Sequence, residues 1–138
     1  MSEDERLMEI VGIGTEIVEC LRVGRMIEQH GELFLLRVYT EREIRDCQSR
    51  QRATEHFAAR WAAKEAILKC LGLAWRRGLA WTDMEVRTEP SGKPGVMLCG
   101  AAKDIAQQQR ISDILLSLSQ CRAYATAYAI AVRGTGNT

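Results

Sequence analysis

The stretch RWAAKEAILK, residues 60–69, is composed for a helix, yet it sets a lysine where a helix packed in a small domain wants a leucine. An α-helix advances about 100° per residue, so Phe57, Trp61 and Leu68 fall within about 40° of one another and form one apolar stripe. By the same count Lys64 projects into that stripe at about −20° from Phe57, Glu65 borders it at about +80°, and Arg60 flanks the other edge. Charged side chains are rarely buried unless they are paired or meet a counter-ion. Either Lys64 and Arg60 run their stems along the stripe and reach water, or the stripe borders a cleft that holds a ligand. The periodic pattern spans residues 52–71 and stops at Gly72, which makes this the longest helix of the chain.

Around this helix the pattern is mixed. MEIVGIG (8–14) is a short β-branched run ending in glycines and reads as a strand that stops at a turn. Residues 17–29 read as a helix broken at Gly31, and ELFLLRVY (32–39) and TEREIRDCQ (40–48) as two shorter helices. Thr40 followed three residues later by Glu43 is a capping-box signal for the second of these. After residue 72 the period shortens to two: WTDMEVRT (81–88), a turn EPSGKPG (89–95), then VMLC (96–99). A helix over 100–110 precedes two closing strands, SDILLSLS (112–119) and AYATAYAIAV (123–132). Helices early and strands late predict an α+β fold with helices packed on an antiparallel sheet. The last strand has one face of Ala123, Ala125, Ala127, Ala129 and Ala131, so something must approach it closely, either a helix of the same chain or a neighbouring subunit.

A chain of 138 residues is expected to be one domain, 1–138, with 1–8 and 134–138 as loose tails. Apolar residues make up 46% and charged residues 27%, the balance of a globular protein. The net charge of +1 supplies no global field for a nucleic-acid partner, and no aromatic-rich basic strand occurs. Locally, however, seven basic residues (Arg50, Arg52, Arg60, Lys64, Lys69, Arg76, Arg77) stand against Glu55 and Glu65 between residues 50 and 77, a surplus suited to an anionic ligand or acidic partner. Five widely spaced cysteines without a CxxC indicate neither a disulfide framework nor a zinc site, and fit a reducing, cytoplasmic setting. No apolar run has the length of a membrane span.

Two acids are candidates for chemistry. Glu16 follows the run VGIGT at the end of the first strand, and Glu65 lies on the long helix among Arg60, Lys64 and Lys69. If strand end and helix face one another, two carboxylates could hold a hard divalent cation while nearby cations hold phosphates, which is how magnesium is usually bound.

The motifs GIGTEIVECLR (12–22), FAARWAAKEAILKCLG (57–72) and SGKP (91–94), in that order, resemble the holo-acyl-carrier-protein synthase family of 4'-phosphopantetheinyl transferases. That family shows a G-x-D turn, an aromatic-x-x-K-E-A-x-x-K helix followed by a glycine, and a G-K-P turn, and the resemblance runs from about Ile10 to Val132. It implies a transferase-like α+β fold, usually trimeric with active sites between subunits. The implied enzyme moves the 4'-phosphopantetheine arm of coenzyme A to a serine hydroxyl of an apo acyl carrier protein, releases 3',5'-ADP and serves fatty acid and lipid biosynthesis. Mg²⁺, or Mn²⁺ in its place, is implied at Glu16 and Glu65. Glu65 and Lys69 become the catalytic pair, with Arg60, Lys64, Lys69, Gly72, Gly92, Lys93 and Pro94 toward coenzyme A, and Arg22, Arg25 and Arg37 toward the acidic carrier protein. On this reading Lys64 lies on the stripe because the stripe borders the coenzyme A cleft. No nucleic-acid or membrane partner is implied.

Two positions depart from the family pattern. The turn acid is Glu16, one methylene longer than aspartate, and Gln120 stands where many relatives carry a histidine or acid and cannot take a proton. A divergent protein that binds coenzyme A or a carrier protein without turnover is the alternative. His30 and His56 read as surface residues, and Trp75 and Trp81 as packing a loop.

Overall fold

The computed structural model describes residues 7–73 and 78–134; Trp75, Arg76 and Arg77 lie outside them. The elements in order are β1 (Met8–Glu19), α1 (Cys20–Val38), α2 (Glu41–Gln48), α3 (Ala53–Cys70), a single 3-10 turn (Trp81–Asp83), β2 (Met84–Thr88), β3 (Pro94–Leu98), α4 (Gly100–Gln108), β4 (Asp113–Gln120) and β5 (Tyr124–Gly134). Strands β1, β5 and β4 form an antiparallel sheet with β5 in the middle, and β2 and β3 form a separate hairpin. This is the predicted α+β arrangement of helices on an antiparallel sheet. Met8 pairs with Gly134, so both residues expected in the tails belong to the sheet.

The glycine run does not end the first strand. β1 continues through Gly12 and Gly14 to Glu19, paired with β5 along its length. The glycines are there because α3 crosses at backbone distance: a Cβ on Gly14 would lie 2.0 Å from the Ala66 carbonyl oxygen, and one on Gly12 would lie 1.9 Å from that of Cys70. No rotamer change relieves a clash with backbone, so Gly14→Ala must push strand and helix apart. We expect it to cost at least about 2 kcal/mol, read as a lower midpoint in urea or thermal unfolding; an unchanged midpoint would show that the crossing is looser.

The alanine face of β5 has the same cause. Ala125, Ala127, Ala129 and Ala131 are fully buried, against Ala62, Ala63 and Ala66 of α3 and its neighbours. A helix of the same chain covers this face, so a neighbouring subunit is not what the alanines accommodate. The opposite sheet face carries Ile10, Ile13, Ile17, Leu115, Tyr124 and Tyr128, all exposed.

α3 is therefore the central element, with the sheet on one side and α1, α2 and the hairpin on the other. A second core of Phe34, Val38, Tyr39, Cys47 and Phe57 fills the space between α3 and the first two helices. Each such large side chain stabilises the fold by about 1.5–3 kcal/mol on burial. The break predicted at Gly31 is present: with φ at +54° and ψ at −130° it interrupts α1, which is two helical segments joined at a kink. Gly72 takes φ of +73° just past α3, where Leu73 N–H closes back on the Leu68 carbonyl, the glycine stop that the sequence predicts.

Candidate active site

Because Gly14 lets α3 approach β1, Glu16 two residues on meets the second half of the helix. Lys69 Nζ lies 3.1 Å from Glu16 Oε2 and also donates to the Thr15 carbonyl at 3.0 Å, while Ile17 N–H donates to Glu16 Oε1 at 3.1 Å. Glu65, one helical turn before Lys69, brings its carboxyl close enough to that of Glu16 for each to shift the other's ionisation. The indole Nε1–H of Trp61 donates to Glu65 Oε1.

Two carboxyls this close cannot both ionise freely. Burial first, then the hydrogen bond and charge of Glu16, push the Glu65 carboxyl up to about 7, against the opposing charges of Lys69 and Arg22. Burial also acts to raise Glu16, but its hydrogen bonds to Glu65, Lys69 and the Ile17 amide outweigh that and leave it below the usual carboxylate range. Of the two acids, Glu65 is the one whose charged form burial and its neighbour oppose.

The pair forms one wall of a cleft of about 290 Å³, completed by Arg22, Val23 and Met26 of α1, Phe34, Trp61 and Tyr124. Among the described residues no three His, Cys, Asp or Glu side chains gather as a metal cage. Two carboxylates beside a cleft that admits ligand oxygens are nonetheless the donor set that magnesium uses, since it keeps waters and substrate phosphate oxygens in its remaining positions. Two neighbouring carboxyls that oppose each other's ionisation form a surplus of negative potential that a cation would relieve. The residues therefore fit the ion.

Lys64 is not at the cleft. Its ammonium is fully buried, 2.8 Å from Glu43 Oε1, and donates to the carbonyls of Val38 at 2.8 Å and Trp81 at 3.0 Å. The expectation that it borders a coenzyme A cleft is corrected: α3 has no open side at that position, and α1, α2 and the Trp81 turn close over it. Glu43 also accepts from the amides of Thr40 and Val86, so the predicted capping box is formed and doubles as an ion-pair hub. Lys64 lies over the Tyr39 ring at 5.6 Å, and burial draws its ammonium below the usual lysine range against the pull of Glu43.

The other assigned residues are dispersed. Arg60 is buried, paired with Asp46 and bonded to Cys47 Sγ at 3.3 Å. It lines a second cavity, also about 290 Å³, whose other cations are Arg42, Arg45 and Arg87. The sequence reading missed these three, although Arg42 and Arg45 share a helix face by their three-residue spacing. Gly92, Lys93 and Pro94 lie at the β2–β3 turn, where Gly92 has φ of +89° and Glu89 N–H donates to the Lys93 carbonyl. Gly72 caps α3. Arg22 is at the cleft, and Arg25 and Arg37 are exposed on α1. Gln120 ends β4 opposite Ala125, and His30 is exposed. Trp61 belongs to the apolar stripe by spacing, and its four-residue separation from Glu65 is the signal in the sequence for its contact with that acid.

The chain is similar to known proteins over nearly its whole length. The 4'-phosphopantetheinyl transferase superfamily matches residues 12–132. Holo-[acyl-carrier-protein] synthase of Rhodopirellula baltica is 51% identical over 123 residues, 89% of this chain and 98% of that protein. Among solved structures, the holo-[acyl-carrier-protein] synthase of Neisseria meningitidis superposes with a TM-score of 0.82 at 29% identity, covering 89% of this chain and 98% of that one. The synthase of Bacillus anthracis, solved in complex with CoA (3',5'-ADP), gives 0.74 at 30% identity, covering 92% and 99%.

Proposed function

This chain belongs to the 4'-phosphopantetheinyl transferase superfamily, and from that premise we propose that it acts as a holo-acyl-carrier-protein synthase through the Glu16–Glu65 cleft. It transfers the 4'-phosphopantetheine group of coenzyme A to a serine hydroxyl of an apo acyl carrier protein and releases 3',5'-ADP. The observation that carries the assignment of the site is the meeting of Glu16 and Glu65, from a strand and a helix 49 positions apart, in one cleft with Arg22 and with Lys69 paired to Glu16.

In the reaction the serine Oγ attacks the β-phosphorus of the pyrophosphate, a P–O bond forms, and the bond to the bridging oxygen breaks with its electron pair leaving on 3',5'-ADP. Glu65, on the cleft wall beside Glu16, takes the serine proton. Lys69 holds Glu16 ionised and adds positive charge where the non-bridging oxygens crowd. A magnesium ion held by Glu16 and Glu65 would supply charge neutralisation on the pyrophosphate. Arg22 guides the anionic substrates in, and with Arg25 and Arg37 it gives α1 a basic surface for an acidic carrier protein.

The exposed apolar face of β1, β5 and β4 supports a homotrimer in which neighbouring copies cover it. Such an assembly also accounts for the separation of Arg60 and the GKP turn from the carboxylates: one copy would supply the acids and its neighbour the anion-binding arginines. Five free cysteines, three of them buried, suit a reducing cytoplasm, and among the described residues no helix is long and apolar enough to cross a membrane.

Mass spectrometry of apo acyl carrier protein incubated with this protein, coenzyme A and Mg²⁺ tests the function. The expected result is a mass gain of one phosphopantetheine arm, lost with chelator. Coenzyme A binding without any gain, with either magnesium or manganese, would favour the non-catalytic alternative.

A further inference from the structure

Trp61 has a polar atom aimed at the reacting pair, and its ring is packed against other aromatic side chains. Its ring is stacked on Phe34, centroids 5.4 Å apart at 15°, and lies against Trp81 at 5.5 Å and 33°. Trp81 is itself tied through its carbonyl to the buried Lys64 ammonium. The indole is thus packed against two aromatic rings, one of them on a turn whose backbone is held by the buried Lys64, and its single N–H donates to Glu65 Oε1. An indole nitrogen is a donor only, so it can meet a carboxylate oxygen but cannot reverse the bond.

Glu65 needs such a restraint. Its side chain is half-exposed at a cleft wall, with three rotatable bonds, and faces the like charge of Glu16 whenever both are ionised. Unrestrained, it would swing toward Arg22 or solvent, and the two acids would cease to be one site.

We propose that Trp61 is a positioning residue for phosphopantetheine transfer, its packed indole N–H holding the Glu65 carboxylate toward Glu16 so that the two acids are presented as a single divalent-cation site. This inference rests on the transferase reading of the cleft. It predicts a defect in metal binding and turnover, with coenzyme A recognition in the absence of metal left as it is. It also gives Lys64 a part at one remove, since the buried ammonium steadies the turn that carries Trp81.

The test is Trp61→Phe, which keeps a ring against Phe34 and Trp81 and removes only the donor. Calorimetric titration with Mn²⁺ should show affinity weakened about tenfold or more, the usual loss when a partner of a metal-binding side chain is removed. In the same variant kcat should fall with the KM for coenzyme A unchanged. The thermal midpoint, measured without metal, should stay near that of the unaltered protein. A Mn²⁺ titration of Glu65→Ala and of the double variant Trp61→Phe/Glu65→Ala completes the cycle: if Trp61 acts through Glu65, the two should bind alike. Unchanged Mn²⁺ affinity in Trp61→Phe would overturn the proposal. So would a further loss in the double variant as large as in the single one, because the indole would then act elsewhere. If the unaltered protein fails to transfer while Trp61→Phe still weakens Mn²⁺ binding, the transferase reading falls and the positioning role stands.

Discussion

Replacing Glu65 with glutamine is expected to lower the transfer rate about 10²–10⁴-fold, the range for loss of a positioned general base. Glutamine keeps the volume of the side chain, and its carbonyl oxygen can still accept the Trp61 indole N–H, so the cleft wall survives. What goes is the acceptor for the serine proton and half of the negative charge that meets a cation. Coenzyme A affinity measured without metal should be unchanged, which separates loss of chemistry from loss of the site. A variant that retained more than about a tenth of the activity would remove Glu65 from the role of base.

The same substitution reports on the ionisation of the pair. An acid whose folded-state pKa rises from 4.5 to about 7 binds its proton more tightly when folded. Its contribution to stability is therefore fully present below about pH 4.5 and is lost as pH rises through about 7. Glu16, held low, contributes with the opposite sign: its share is present above the usual carboxylate range and is lost on acidification. In metal-free buffer the unfolding midpoint should thus fall on going from mildly acidic to neutral pH, and Glu65→Gln should flatten that part of the profile. Parallel profiles for the two proteins would mean that the acids do not oppose each other's ionisation.

Lys64→Ala is expected to be the most damaging single change to the fold. Lys64 and Glu43 are both completely buried, and removing one partner of a buried pair costs about 3–5 kcal/mol because the other charge is stranded. Here the Val38 and Trp81 carbonyls also lose their donor. Against a typical total of about 5–15 kcal/mol for a domain, such a loss should lower the thermal midpoint by about 10 °C or more. The double variant Lys64→Met/Glu43→Gln removes both charges and keeps most of the volume, and its glutamine amide can still face the freed carbonyls. It should therefore be more stable than Lys64→Ala. An unfolding free energy for Lys64→Ala within about 1 kcal/mol of that of the unaltered protein would contradict the buried pair as the hub joining α1, α2, α3 and β2.

Signals carried by neighbours along the chain were legible. The long helix and its glycine stop, the Thr40–Glu43 capping box and the alternating strands all depend on contacts within about one turn or one strand. The motifs in order also named Glu16 and Glu65, and the structure brings them together. Where the reading failed, a distant segment intervened. Gly12 and Gly14 look like a turn until the backbone of α3 is laid over them, and of the two coverings open to the β5 alanines, a helix of the same chain or a neighbouring subunit, only the fold selects the helix.

Lys64 makes the distinction plainest. Helical spacing alone established that a charge sits on the apolar stripe and must be compensated. Its compensation by Glu43 and two carbonyls, out of reach of any cleft, was decided only when α1, α2 and the Trp81 turn folded over α3. Sequence thus determined the elements, their order and the two acids, because periodicity and capping are local. Tertiary structure decided which charges are buried and which face the cleft, because desolvation and pairing depend on segments tens of residues away coming to rest against one another.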